Sequence, residues 1–256
     1  MIIAFSNQKG GVSKSTACIN VGAALAKMKK KVLVIDMDPQ ANLTSGVGIV
    51  ANELDKTVYD LLKIKDIGYE EITKVICNTP YENLHCIPSN IALSNAEIEL
   101  SSNLCRESIL RNIVSFINKD FDYILIDTPP SLGLLNINSM VAANSVVVPV
   151  CPDYFSIKGL EDLMNTLNLV KKNLNPNLQL MGVLLTLYDG RINLSKSTRD
   201  SLLGIFGDTF FKSIIRRDCQ IQYSQEEHIP LIYYNQKCRA YKDFISFAQE
   251  VLRYEK

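Results

Sequence analysis

The stretch Ile2-Ile3-Ala4-Phe5-Ser6-Asn7-Gln8-Lys9-Gly10-Gly11-Val12-Ser13-Lys14-Ser15-Thr16 decides the reading of this chain. Ile2–Phe5 is an apolar run that reads as a buried strand, Gly10-Gly11 read as a tight turn, and a helix follows to about Met28. In a strand–turn–helix unit of this kind the turn's backbone N–H groups converge into an anion nest. The helix N-terminus adds its partial positive charge at the same place. Lys14 is spaced to reach the outer phosphates of a nucleotide and Ser15 to offer its hydroxyl to Mg²⁺. Gly10, Gly11, Val12, Ser13 and Thr16 complete the phosphate cradle. Against the usual G-x-x-x-x-G-K-[ST] pattern, Gln8 takes the first glycine position, Ser13 takes the second, and Lys9 is an extra lysine at the loop's outer edge.

Working outward, buried strands recur at Val32–Ile35, Leu84–Ile87, Tyr123–Ile126, Ser145–Val150 and Leu180–Leu187. Helical patterns lie between them, near Ser94–Leu100, Arg106–Ile117 and Ile157–Leu174. Residues 40–56, rich in Gly, Asn and Ser, read as a loop. A last helix over about Arg239–Arg253 sets Tyr241, Phe244, Ile245, Ala248, Val251 and Leu252 on one face at 3.6-residue spacing. Alternating strand and helix patterns imply a doubly wound α/β fold, a mostly parallel sheet with helices on both faces. The absence of repeats and linkers implies one domain over residues 1–256. Two strands end in carboxylates, at Asp36-Met37-Asp38-Pro39-Gln40 and at Asp127-Thr128-Pro129-Pro130. In an open α/β sheet such strand ends face the ligand crevice, where Asp38 could orient an attacking water.

The loop Lys9–Thr16 resembles the deviant Walker A loop, K-G-G-x-x-K-[ST], of the ParA/MinD family of P-loop ATPases. Asp36–Gln40 matches that family's first switch, D-x-D-P-Q, and Ile126–Gly133 its Walker B and second-switch segment. Ser6-Asn7-Gln8 and Gly182-Val183-Leu184-Leu185-Thr186 are similar to the chromosome-partitioning Soj/ParA branch, so the likeness spans nearly the whole chain. The resemblance implies ATP and Mg²⁺ as ligands, Ser15 and Asp127 at the metal, and Lys14, Asp38 and Lys9 in catalysis. Lys9 would reach across a two-fold interface to the partner subunit's phosphates. It further implies an ATP-bound homodimer that binds DNA without sequence preference and is released by a ParB-like centromere-binding partner. The location implied is cytoplasmic and nucleoid-associated. The family's Pro-Arg-Asn stretch beside the base reads Arg216-Arg217-Asp218 here, with Gln220 at the later arginine. Arg217 therefore keeps the base-proximal place, and the DNA footprint shifts toward Arg191, Lys196, Arg199, Lys237, Arg239 or Lys242. No segment precedes the first strand, so the helix-turn-helix extension of larger plasmid relatives is not expected.

Composition excludes other classes. The chain has 256 residues, 47% of them hydrophobic, with 27 basic and 27 acidic residues. No overall field draws it to nucleic acid or membrane, but residues 190–256 carry 11 Lys/Arg against 8 Asp/Glu and the remainder 16 against 19. Seven scattered cysteines without a C-x-x-C pair, and only His85 and His228, argue against a zinc site or a disulfide framework. No apolar run approaches the ~18–20 residues of a membrane span, and stable membrane association is not expected. A Rossmann oxidoreductase would need G-x-G-x-x-G after the first strand. A Ras-type GTPase would need N-K-x-D, which Asn118-Lys119-Asp120-Phe121 fails at its last position. The iron–sulfur branch of the same family would need a cysteine between Asp127 and Asn144. The remaining alternative is a related ATPase that positions a protein array or microcompartment, or, less favoured, a membrane-associated division-site regulator.

Overall fold

The computed structural model describes residues 1–51, 54–153 and 156–254, without the side chains of residues 156–158. In chain order the elements are β1 (Ile2–Phe5), α1 (Lys14–Lys27), β2 (Val32–Asp36), α2 (Asn42–Gly46), α3 (Val58–Lys63), α4 (Tyr69–Thr73), β3 (Cys77–Asn78) and β4 (Leu84–Ile87). Then follow α5 (Ala96–Glu99), α6 (Ile109–Ile117), β5 (Tyr123–Asp127), α7 (Leu134–Ala142), β6 (Ser145–Val150), α8 (Ser156–Asn173) and β7 (Gln179–Leu185). The chain closes with α9 (Asn193–Phe206), α10 (Cys219–Glu226), α11 (Leu231–Tyr234) and α12 (Arg239–Tyr254).

Among the described residues the strands form one sheet in the order β3-β4-β2-β5-β1-β6-β7. Every pairing is parallel except β3 with β4 at the edge. The strands are buried on both faces, which explains their continuous apolar runs. Alternate residues serve opposite cores. Ile3, Phe5, Val32, Val34 and Leu125 pack with α1, α2 and α10–α12. Ala4, Leu33, Ile35, Ile124 and Ile126 pack with α3, α6, α7 and α8.

The expected strands lie where the apolar runs place them, with one shift. β7 covers Gln179–Leu185 and ends two residues early. There the Thr186 hydroxyl turns to the carbonyls of Val12 and Val150, at 3.0 and 3.1 Å, and Leu187 takes a positive φ of 51°. The expected loop at 40–56 contains α2, which the Gly/Asn/Ser composition hides; its Leu43 and the Val47 that follows it fill the core around α1. Residues 52 and 53 of that stretch lie outside the described residues. The expected helix over Ser94–Leu100 is a 3₁₀ turn, Ile91–Asn95, followed by the single turn of α5. On α12, Phe244, Ala248 and Val251 are buried as expected, together with Ala240, Asp243 and Phe247; Tyr241, Ile245 and Leu252 line the margin.

Candidate nucleotide site

The register of the central strands builds the site. Phe5 pairs with Asp127 and Asp36 pairs with Asp127, so β1, β5 and β2 end at one level. Their following loops converge over a cleft of about 540 Å³ lined by Gly10, Gly11, Ser13–Thr16, Asp38, Gln40, Pro130, Gln225 and His228.

The loop after β1 is held from several sides. Asn7 is buried, donates to the Pro149 carbonyl at 2.7 Å and accepts from the Lys9 N–H at 3.0 Å. Thr186 holds the Val12 carbonyl, and Gln225 donates to the Thr16 hydroxyl at 2.8 Å. Gly11 has φ 74°, a conformation that favours glycine. Ser13 has φ 63° and precedes α1 directly, so the serine that departs from the usual glycine sits in the left-handed region. From there α1 runs 14 residues with its N-terminus aimed at the cleft.

Two carboxylates, Asp127 and Asp38, act on one ammonium, and a third, Asp36, lies beside them. Lys14 is buried and donates to the Lys9 carbonyl at 3.2 Å. Burial lowers its pKa, opposed by the nearby charges of Asp127 and Asp38. Asp36 is fully buried and accepts from the Thr44 N–H and hydroxyl at 2.8 and 2.7 Å and from the Asp38 N–H at 3.1 Å. Burial pushes its pKa up to about 6 in spite of these bonds. Asp38 is buried at the cleft and accepts from the Gln40 N–H at 2.9 Å.

Asp127 is fully buried, and neither of its oxygens has a well-formed hydrogen bond. Burial and then the Asp36 charge drive its pKa well up, against the Ser15 hydroxyl and the Lys14 ammonium. A buried carboxylate without full compensation, beside a serine hydroxyl, is a donor set that suits a hard divalent cation.

Two expected residues lie elsewhere. The Lys9 ammonium leaves its own cleft and pairs with Asp153, beyond β6. Arg217 is exposed and lines an adjoining pocket of about 360 Å³ with Ser13, Thr16, Leu187, Asp218 and Gln225. Asn7, Asp153, Thr186 and Gln225 escape a reading for chemistry. Asn7 and Thr186 fall within stretches noted only for likeness, and each of the four acts through contacts more than a hundred residues away.

The matched family model, described as an AAA domain, covers residues 1–180. The Bacillus subtilis sporulation initiation inhibitor protein Soj is 41% identical over 98% of this chain and 97% of its own length. The chain belongs to the Soj/ParA family of chromosome-partitioning ATPases. The chromosome-partitioning ATPase Soj of Treponema pallidum is 38% identical over 98% of this chain and 96% of its own. Among solved structures, a Mycobacterium smegmatis protein described as cobyrinic acid a,c-diamide synthase, with bound ADP and magnesium, is 32% identical. It superposes with a TM-score of 0.84 over 99% of this chain and 94% of that one. A Borrelia burgdorferi plasmid partition protein bound to AMPPNP is 26% identical, with a TM-score of 0.81 over 98% of each chain. Among the described residues no helix is long and apolar enough to cross a membrane.

Proposed function

We propose that residues 1–256 form a single P-loop ATPase domain that segregates DNA by an ATP-dependent cycle of pairing, DNA binding and release. The observation that carries this reading is the convergence of Lys14, Ser15 and Asp38 on one cleft over the Gly10–Thr16 loop, with Asp127 buried beneath it beside Ser15 and Lys14. The loop's N–H groups and the α1 N-terminus receive the phosphates, and Lys14 pairs with the outer ones. Ser15 and Asp127 hold Mg²⁺, which when bound offsets the charge on the phosphate oxygens. Asp38 orients the attacking water. Arg217 stands beside the pocket into which the base would extend.

Lys9 acts in the partner subunit's cleft, which ties pairing to ATP. Two of the basic candidates for DNA contact already hold carboxylates: Arg191 with Asp189 and Arg199 with Asp200. The DNA surface therefore centres on Lys196, Lys237, Arg239 and Lys242, duplicated in the dimer so that weak phosphate contacts add. The likeness to Soj and ParA proteins supports a ParB-like partner that triggers hydrolysis, and a nucleoid-associated, cytoplasmic location.

The test is DNA retention and light scattering with no nucleotide, ADP, ATP and a slowly hydrolysed analogue. Pairing and DNA binding are expected only with ATP or the analogue, falling steeply with salt. Lys9→Ala is expected to keep ATP affinity while losing dimer and DNA. Equal DNA binding without nucleotide would remove the switch, and unaltered nucleotide affinity in Lys14→Ala would remove the phosphate-loop assignment.

A further inference from the structure

The loop from Asp127 to α7 borders the cleft through Pro130. Its inner side is tied down: the Thr128 hydroxyl donates to the Phe5 carbonyl at 2.8 Å, and the buried Asn136 amide donates to the Ser131 carbonyl at 2.7 Å. Asn136 also accepts from the Ser6 hydroxyl at 3.0 Å, linking this loop to the lead-in of the phosphate loop.

The outer end is built differently. α7 starts at Leu134, and its N-cap is Gly133, which has no side chain to receive an orphan N–H. Glu97, from α5, fills that place. Its Oε1 accepts from the Leu135 N–H at 3.4 Å. A Cβ built on Gly133 would lie 2.2 Å from Glu97 Oε1 and 3.0 Å from Cδ. Gly133 has φ −73°, open to any residue, so its backbone does not call for glycine; the carboxylate occupies the space. A negative charge at this end of α7 also meets the positive end of the helix dipole.

We propose that Glu97 is a positioning residue for ATP hydrolysis. It caps α7 from outside, Gly133 is small so that it can, and the pair fixes the Asp127–Gly133 loop against the cleft. The inference rests on the assignment of that loop to the ATPase site.

The experiment uses the full chain and four variants: Glu97→Ala, Glu97→Gln, Gly133→Ala and the Glu97→Ala/Gly133→Ala double. ADP affinity is read by calorimetry, turnover by phosphate release, and exchange of the Leu135 amide by NMR without nucleotide. Each single alanine variant is expected to lower kcat on the order of tenfold and to speed Leu135 exchange, with ADP affinity within about twofold. Glu97→Gln keeps the Oε1 acceptor and is expected to recover most of the loss. The double is expected to fall no further than either single, since both remove one cap. If Glu97→Ala does not fold, Gly133→Ala displaces the carboxylate while keeping it, and carries the same comparison with wild type. Losses that multiply to about a hundredfold in the double, unchanged Leu135 exchange, or ADP affinity falling in step with kcat would each overturn the role of Glu97 alone. A wild type without Lys14-dependent turnover would overturn this role and the ATPase reading together.

Discussion

If Lys9 acts in the partner's cleft, as proposed, its ion pair with Asp153 sets a measurable resistance to pairing. Lys9 cannot reach a partner's phosphates while it holds Asp153. The two side chains are 33% and 35% exposed, so the pair belongs with partly solvated ion pairs, worth about 0.2–1 kcal/mol. A two-fold dimer must break it twice, which amounts to about 0.4–2 kcal/mol, or about 2- to 30-fold in the dimer dissociation constant. Asp153→Ala is therefore expected to tighten dimerisation by that factor in the presence of a slowly hydrolysed ATP analogue. Sedimentation equilibrium across a protein dilution series gives the constant. Monomer affinity for ADP should stay within about twofold, and the gain should shrink at high salt as the pair in the wild type is screened. A dimer constant that is unchanged or weaker in Asp153→Ala, or a gain of the same size with ADP, would refute the idea that Asp153 restrains Lys9.

Three further outcomes follow from the site. Asp38→Ala is expected to keep ATP affinity and the dimer while single-turnover hydrolysis falls ~10²–10⁴-fold; equal losses in binding and turnover would make Asp38 a structural or metal-shell residue. Ser13→Gly relieves a left-handed serine, a conformation costing roughly 1–2 kcal/mol for a side-chain-bearing residue, and should raise the melting midpoint by about 2–8 °C in calorimetry; a lower midpoint would show that the serine side chain makes a compensating contact. Asp36 holds its proton more tightly when folded, with a pKa of about 6 against an ordinary 3.8. Its contribution to stability is therefore full below about pH 3.8 and lost as pH rises through about 6, a swing of about 3 kcal/mol. The difference in urea-unfolding free energy between wild type and Asp36→Asn, in EDTA from pH 4 to 7, should trace that swing; a flat difference would remove it.

The sheet was legible because its strands are buried on both faces. Val32–Ile35, Tyr123–Ile126 and Val146–Val150 are unbroken apolar runs, and each stops at a carboxylate, proline or turn. The phosphate loop was legible because its chemistry is local: Gly11 needs a positive φ, and Lys14 and Ser15 follow within one turn. Short helices were not. α2 and α11 have five and four residues, too few to show a 3.6-residue period, and they exist because Leu43, Leu231 and Ile232 are buried against α1 and its neighbours. The same limit hid the supports of the site. Nothing near Thr186 in sequence points to the Val12 carbonyl 174 residues away, nor anything near Gln225 to Thr16 209 residues away. Glu97 stood within an expected helix, but its relation to Gly133 exists only after α5 and α7 are packed.

The register of the three central strands has an electrostatic consequence that unites these residues. Pairing Asp36 with Asp127 places two carboxylates side by side in the interior, where a like charge and the loss of water both disfavour ionisation. Asp36 is compensated by Thr44 and the Asp38 N–H, whereas Asp127 is left to Ser15 and Lys14. Their field extends to the buried Cys18 thiol, whose pKa is pushed well up by burial and then by both carboxylates, so that Cys18 is an inert thiol beside the cleft. Asp127 is thus a buried carboxyl group whose ionisation lacks full compensation, set beneath a loop of N–H donors that favours anions. One ligand satisfies both halves: a phosphate chain for the loop, accompanied by a cation for Asp127. Binding either part alone leaves the other half unsatisfied, which is a physical reason for this cleft to take the nucleotide and its metal together.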